Sequence, residues 1–193
     1  MHHINIDLLE EERILKGAVQ LKKEAIEAFE KAAYEASQER RYEMLTKGSL
    51  MERLAAIPYF ETRHLVEVLN DPNPDVRVSA LRQITFMDEL DEVAKDAERI
   101  AILVNDPTLV VQKESLTTIQ HFIDKLRLAA DAGNPICENA YWKFIEAARI
   151  QAHNFSDPAL SLQAALVVQV ENDRQARLRS QKRAQEEREH MNR

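Results

Sequence analysis

The sequence predicts an all-α fold, and three observations predict it. Ala, Leu, Glu, Gln, Lys and Arg, the good helix formers, dominate the 193 residues. There are only three glycines and six prolines, and aromatics make up 6%. Sheets need turn glycines and favour β-branched and aromatic residues, so an all-β protein is close to excluded. Apolar residues recur at steps of three, four and seven, which is the period of one helix face. The length suits one domain of ordinary size, alone or with an appendage, that buries roughly two thirds of its unfolded surface without a disulfide or metal.

The elements follow in order. Asp7 is the expected N-cap of one long helix over 7–47, free of proline and ended by Lys47-Gly48. Leu8, Leu15, Val19, Ile26, Phe29 and Ala33 share one face, and Gly17 is where a kink would fall. That helix exceeds globular length, so one end should project or meet another chain. Ser49 caps a short helix to Ile57, stopped by Pro58, and the next runs from about Tyr59 to Asn70. Asn73 as N-cap, Pro74 at the first helical position and Asp75 in the first turn open another, with Val76, Ala80, Leu81 and Ile84 inward. Asp88 should start a helix through Leu103, and Asn105-Asp106-Pro107 separates it from one reaching about Ala130. Asp131-Ala132-Gly133-Asn134-Pro135 is the clearest linker. Ile136 to His153 forms a helix, and Ser156-Asp157-Pro158 restarts a last one toward the C-terminus. The expected units are 1–48, 49–130, 131–170 and a solvated tail, 171–193.

Two segments, Leu65–Ile84 and Ile100–Ile119, align at an offset of 35 residues. Asn70-Asp71-Pro72 recurs as Asn105-Asp106-Pro107, and Val76, Leu81 and Ile84 recur as Val111, Leu116 and Ile119. One helix pair cannot bury its apolar side alone, whereas stacked pairs share a continuous core. Asp71 and Asp106 should satisfy backbone N–H groups at the next helix start. Asp71, Pro72, Val76, Arg77, Ala80 and Leu81 together resemble the HEAT repeat family. The second copy departs, with Gln112 for the Arg and Ser115 for the Ala. Asp157-Pro158, with Leu162, Leu166, Val167 and Val170, reads as a degenerate third copy. The resemblance implies a short right-handed α-solenoid of helix pairs, with a long N-terminal helix and an extended C-terminal helix.

Charge and chemistry narrow the function. The chain has 26 basic and 33 acidic residues, a net charge of −7, which argues against nucleic acid as the main partner. Residues 58–160 carry 10 basic and 17 acidic groups, and 161–193 carry 7 and 5. The single Cys137 cannot form an internal disulfide. Cys137, His153 and Asn154 follow the order of a thiol protease but lack its glycine-bearing signature, so Cys137 is expected to be a small buried residue. His2 and His3 have no third ligand nearby, and His64, His121 and His153 are isolated. No phosphate-cradling or nucleophile-elbow motif occurs, and neither does the His-Glu dipeptide of HEAT-like diiron hydroxylases. No cofactor or metal is expected. With no basic-then-apolar leader and no long apolar run, the expected location is the cytoplasm, without membrane insertion.

The candidate sites are therefore surfaces. Arg77, Arg82 and Gln112 are expected to be exposed on the ridge of the paired helices. Tyr141 and Trp142, with Phe144 and Ile145, form an aromatic patch that reads either as core or as an interface anchor. Arg174, Arg177, Lys182 and Arg183 mark a basic tail that is either a solvated helix or an arm for an acidic partner. The expected function is a non-enzymatic adaptor or scaffold subunit. Its partners would be other protein subunits, with homo-oligomers through the long helices also expected. The alternative is a nucleic-acid-associated protein acting through the tail.

Overall fold

The computed structural model describes the backbone of residues 4–154 and 157–191 and the side chains of residues 16–154 and 157–186. All regular elements among the described residues are helices. They are α1 (Ile4–Glu35), α2 (Gln38–Lys47), α3 (Leu50–Ala56), α4 (Thr62–Leu65), α5 (Pro74–Met87), α6 (Leu90–Lys95), α7 (Ala97–Ile102), α8 (Leu109–Asp131), α9 (Pro135–Ala152) and α10 (Pro158–Met191). Short 3₁₀ turns follow α3, α4 and α7. Packing follows chain order: α3 lies against α1, α2 and α5, α5 against α8, α8 against α9, and α9 against α10. One apolar core connects them, running through Leu45, Leu65, Leu81, Ile84, Ile100, Ile119, Phe122 and Phe144.

The expected single helix over 7–47 is two helices. α1 passes through Gly17 and ends at Glu35; Asp7 lies inside it, with its side chain outside the described set. Ser37 is extended (φ −64°, ψ 162°), and its hydroxyl accepts from the Arg40 N–H, starting α2. Arg41 reaches back to donate to the Ala33 and Tyr34 carbonyls, each at 2.8 Å, satisfying the open end of α1. Gly48 then turns the chain where a Cβ would come within 2.5 Å of the Met44 carbonyl oxygen, so only glycine fits. Ser49 caps α3 as expected, and Glu52 completes a reciprocal capping box with it.

The helix expected over Tyr59–Asn70 is instead one short α-turn, α4, followed by a 3₁₀ turn over Val66–Asn70. Thr62 N–H at its start donates to the Glu89 carboxylate at 3.0 Å rather than to a local cap. Asp88 does not start a helix. It ends α5 in the left-handed conformation (φ 57°), with its carboxylate held by His121 and Lys125 of α8. Asn73, Pro74 and Asp75 open α5 as expected, with the Asn73 side chain accepting from Asp75 N–H at 2.8 Å. At the linker, Gly133 has φ +92° and Asn134 caps α9 through Ile136 and Cys137 N–H.

The 35-residue recurrence is also structural: a 3₁₀ turn, an Asp-Pro bend and a long helix appear twice in the same order. Asp71 accepts from Asn73 N–H and Asp106 from Thr108 N–H, both at 2.8 Å, so each carboxylate serves the bend two residues ahead rather than the helix itself. Each also meets an arginine from an earlier helix, α3 for Asp71 and α5 for Asp106. Arg53 lies 3.0 Å from Asp71, and Arg77 lies 2.8 Å from Asp106. Arg77 additionally donates to the Asp71 carbonyl at 2.6 Å, and Gln112 donates to the Asp106 carbonyl at the same distance. Arg77 is thus 8% exposed, not on the ridge, because its guanidinium ties two successive bends together. Gln112 is also half-buried, since its amide is turned inward to that carbonyl.

The stretch from Asp157 departs from this pattern. Asp157 directly caps α10, accepting from Leu160 N–H at 3.0 Å, with Pro158 as the first helical residue. The expected boundary between 170 and 171 falls inside α10. Replacing Arg77 by Ala should cost about 3–5 kcal/mol, because it strands the buried Asp106 carboxylate. Replacing Arg82, whose pair with Glu114 is exposed on its own side, should cost less than about 1 kcal/mol. Urea unfolding of both variants measures the contrast. Gly133→Ala should cost about 1–3 kcal/mol in the same assay, from its positive φ alone.

Candidate functional site

α8 and α10 both pack along α9 and meet each other at few places. Near the start of α10, Leu116, Leu160 and Ala164 form a small apolar cluster, and Gln163 donates to Gln120 at 2.6 Å. Eleven residues further along each helix, Arg174 reaches the Asp131 carboxylate at 2.7 Å. Between and beyond these bridges lies a groove of about 590 Å³. Ile123 and Arg127 of α8 form one wall, Leu166 and Val170 of α10 the other, and Tyr141 and Ile145 of α9 the floor. Leu162, Leu166 and Val170 follow one another at steps of four and remain 64%, 60% and 67% exposed. Of the residues expected in a third copy, Val167 packs against the core, whereas Leu162, Leu166 and Val170 leave an open apolar face.

A polar chain runs under the groove. Tyr141 OH donates to Glu171, and Gln175 donates to the other carboxylate oxygen at 2.7 Å. Arg174 lies 3.5 Å from Glu171 and links it to Asp131, whose second oxygen is 3.7 Å from Arg127. Glu171 is 4% exposed, so a buried carboxylate is satisfied by a phenol, an amide and a guanidinium. Burial first, then the Glu171 charge and hydrogen bond, push the Tyr141 phenol well above its usual 10.0.

Among the expected site residues, the structure brings Tyr141, Arg174 and Arg177 to this groove. Tyr141 is buried and so belongs to the floor, while Trp142, 41% exposed, does not line the groove. Arg82 is exposed and pairs with Glu114 at 3.0 Å. Lys182 and Arg183 are exposed farther along α10. Within the expected tail, Glu171 is bonded to Tyr141 and Arg174 to Asp131, and every side chain from Ala176 to Glu186 is exposed. Ile123, Arg127, Leu166, Val170 and Glu171 were missed as site residues. The four-residue steps of Leu162, Leu166 and Val170 were the available signal.

Cys137 is fully buried, and burial pushes its thiol up, the opposite of what an activated nucleophile needs. His153 contacts the Arg149 carbonyl at 2.7 Å, at the end of α9. His2 and His3 lie outside the described residues. Among the described residues no group of three His, Cys, Asp or Glu is placed to hold a metal ion, and no helix is long and apolar enough to cross a membrane. Comparison with protein-family models, curated proteins and solved structures finds no match to this chain.

A phenol raised above its unfolded value stabilises the fold fully below that value, and the contribution is lost as pH rises past it. Stability should thus fall above about pH 10 in the parent and less steeply in Tyr141→Phe. At neutral pH the variant should be about 1–3 kcal/mol less stable, because Glu171 loses a buried donor. Urea midpoints across pH check both.

Proposed function

We propose that this protein is a non-enzymatic interaction subunit of a larger assembly, working in the cytoplasm. In this reading its helix pairs form a short right-handed HEAT-type stack, and the groove between α8 and α10 receives a segment of another protein. The groove carries the reading. It combines an apolar wall that its own chain leaves exposed with a few converging polar groups on rigid helices, the usual composition of a binding surface. The 35-residue recurrence and the two arginine–aspartate links support the stacked-pair part.

A second reading, nucleic-acid association, has one observation in its favour: residues 174–185 hold five cations and no carboxylate. The net charge of −7 and the acidic middle of the chain weigh against it.

Leu166→Glu combined with Val170→Glu changes two exposed positions and should shift stability by less than about 1 kcal/mol. Affinity purification of parent and variant from the source cells, quantified by mass spectrometry, tests the groove. Partners held there should fall at least about tenfold with the variant, a change of about 1.4 kcal/mol in binding. Equal recovery would remove the reading.

A further inference from the structure

The exposed part of α10 is unusual in its charge. Arg174, Arg177, Arg179, Lys182 and Arg183 follow one another with no acidic residue before Glu186. Every side chain from Ala176 to Glu186 is exposed. Among the described residues, no carboxylate lies within ion-pair distance of Arg177, Arg179 or Arg183, and Lys182 meets only Glu186, at 3.9 Å. Arg179 faces both Lys182 and Arg183 at helical spacing, and like charges three or four residues apart destabilise a helix. Leu178, 44% exposed, supplies an apolar anchor among them and also lines the groove. This surface fits an acidic helical segment that also offers aliphatic side chains.

The chain itself contains an acidic helical segment with aliphatic residues. The first turns of α1 read Ile6-Asp7-Leu8-Leu9-Glu10-Glu11-Glu12-Arg13-Ile14-Leu15. That sequence holds four carboxylates, one cation and five large aliphatic residues. α1 packs on α3 at one end of the packing order and α10 on α9 at the other. Two copies can bring the segments together. We propose that the protein self-associates, the acidic start of α1 of one copy lying along the basic stretch of α10 of a second. Reciprocal exchange closes a twofold dimer, and one-way docking builds chains. The attraction is between exposed charges, so salt weakens it.

Sedimentation of the full chain tests this. The protein should associate at about 0.05 M salt, with a dissociation constant at least about tenfold weaker at about 0.5 M. One variant carries Glu10→Lys, Glu11→Lys and Glu12→Lys. A second carries Arg177→Glu, Arg179→Glu, Lys182→Glu and Arg183→Glu. Each alone should be monomeric with parental helicity by circular dichroism, and mixing the two should restore association, because each acidic segment again faces a basic one. The proposal is overturned if the parent is monomeric at low salt, if either variant associates like the parent, or if the folded variants stay monomeric when mixed. A monomeric parent that binds polyuridylate with a steep salt slope would assign the basic stretch to nucleic acid instead, and would equally overturn it.

Discussion

The structure depends on a buried guanidinium. Arg77 of α5 touches the carbonyl of the bend before its own helix and the carboxylate of the bend before the next. A buried charge is costly unless paired and hydrogen-bonded, so neither Arg77 nor Asp106 tolerates a shift in the other. Such a pair adds little net stability over apolar packing. What it supplies is position, because α5 and the Asp106 bend can approach in only one way. Arg53 and Asp71 form an ion pair at 3.0 Å one step earlier in the chain, with Arg53 donating to the Gly48 carbonyl. The core side chains between these links, Leu81, Ile84 and Ile119 among them, then pack against neighbours whose placement is already decided.

The links stop where Gln112 takes the arginine's place. Its amide reproduces the bond to the preceding bend but carries no charge to reach the following one. Beyond this point α9 still shares the apolar core with α8, and α10 is tied to both by different chemistry, a phenol–carboxylate–guanidinium chain through Tyr141, Glu171, Arg174 and Asp131. That chain crosses between helices at discrete points and leaves space between them. The groove is thus a consequence of how the third junction is made. Its polar underside and its open apolar wall follow from the same change.

Much of this was legible in the residues, and the division has a physical basis. Helix starts at Ser49 and Asn73 are decided by side chains that bond to the backbone within three residues, so sequence alone reveals them. The 35-residue recurrence is likewise local in each copy. Arg77 was expected on the surface because nothing adjacent announces a carboxylate 29 positions away. The break at Ser37 was hidden for a related reason: Arg41 seals the end of α1 from outside it. Asp88 looked like a helix start, yet it closes a helix in a left-handed conformation beside Lys125. Leu162, Leu166 and Val170 show correctly that α10 has an apolar face there. Periodicity says which residues share a face, not which neighbour arrives to cover it.

The sole thiol, Cys137, is wholly buried on α9, and the chain holds no second thiol to complicate its chemistry. Its alkylation therefore requires α9 to lift from its neighbours, and the rate at limiting reagent reports how often that happens. The molecule carries its own gauge of local opening, placed on the helix that lies between α8 and α10.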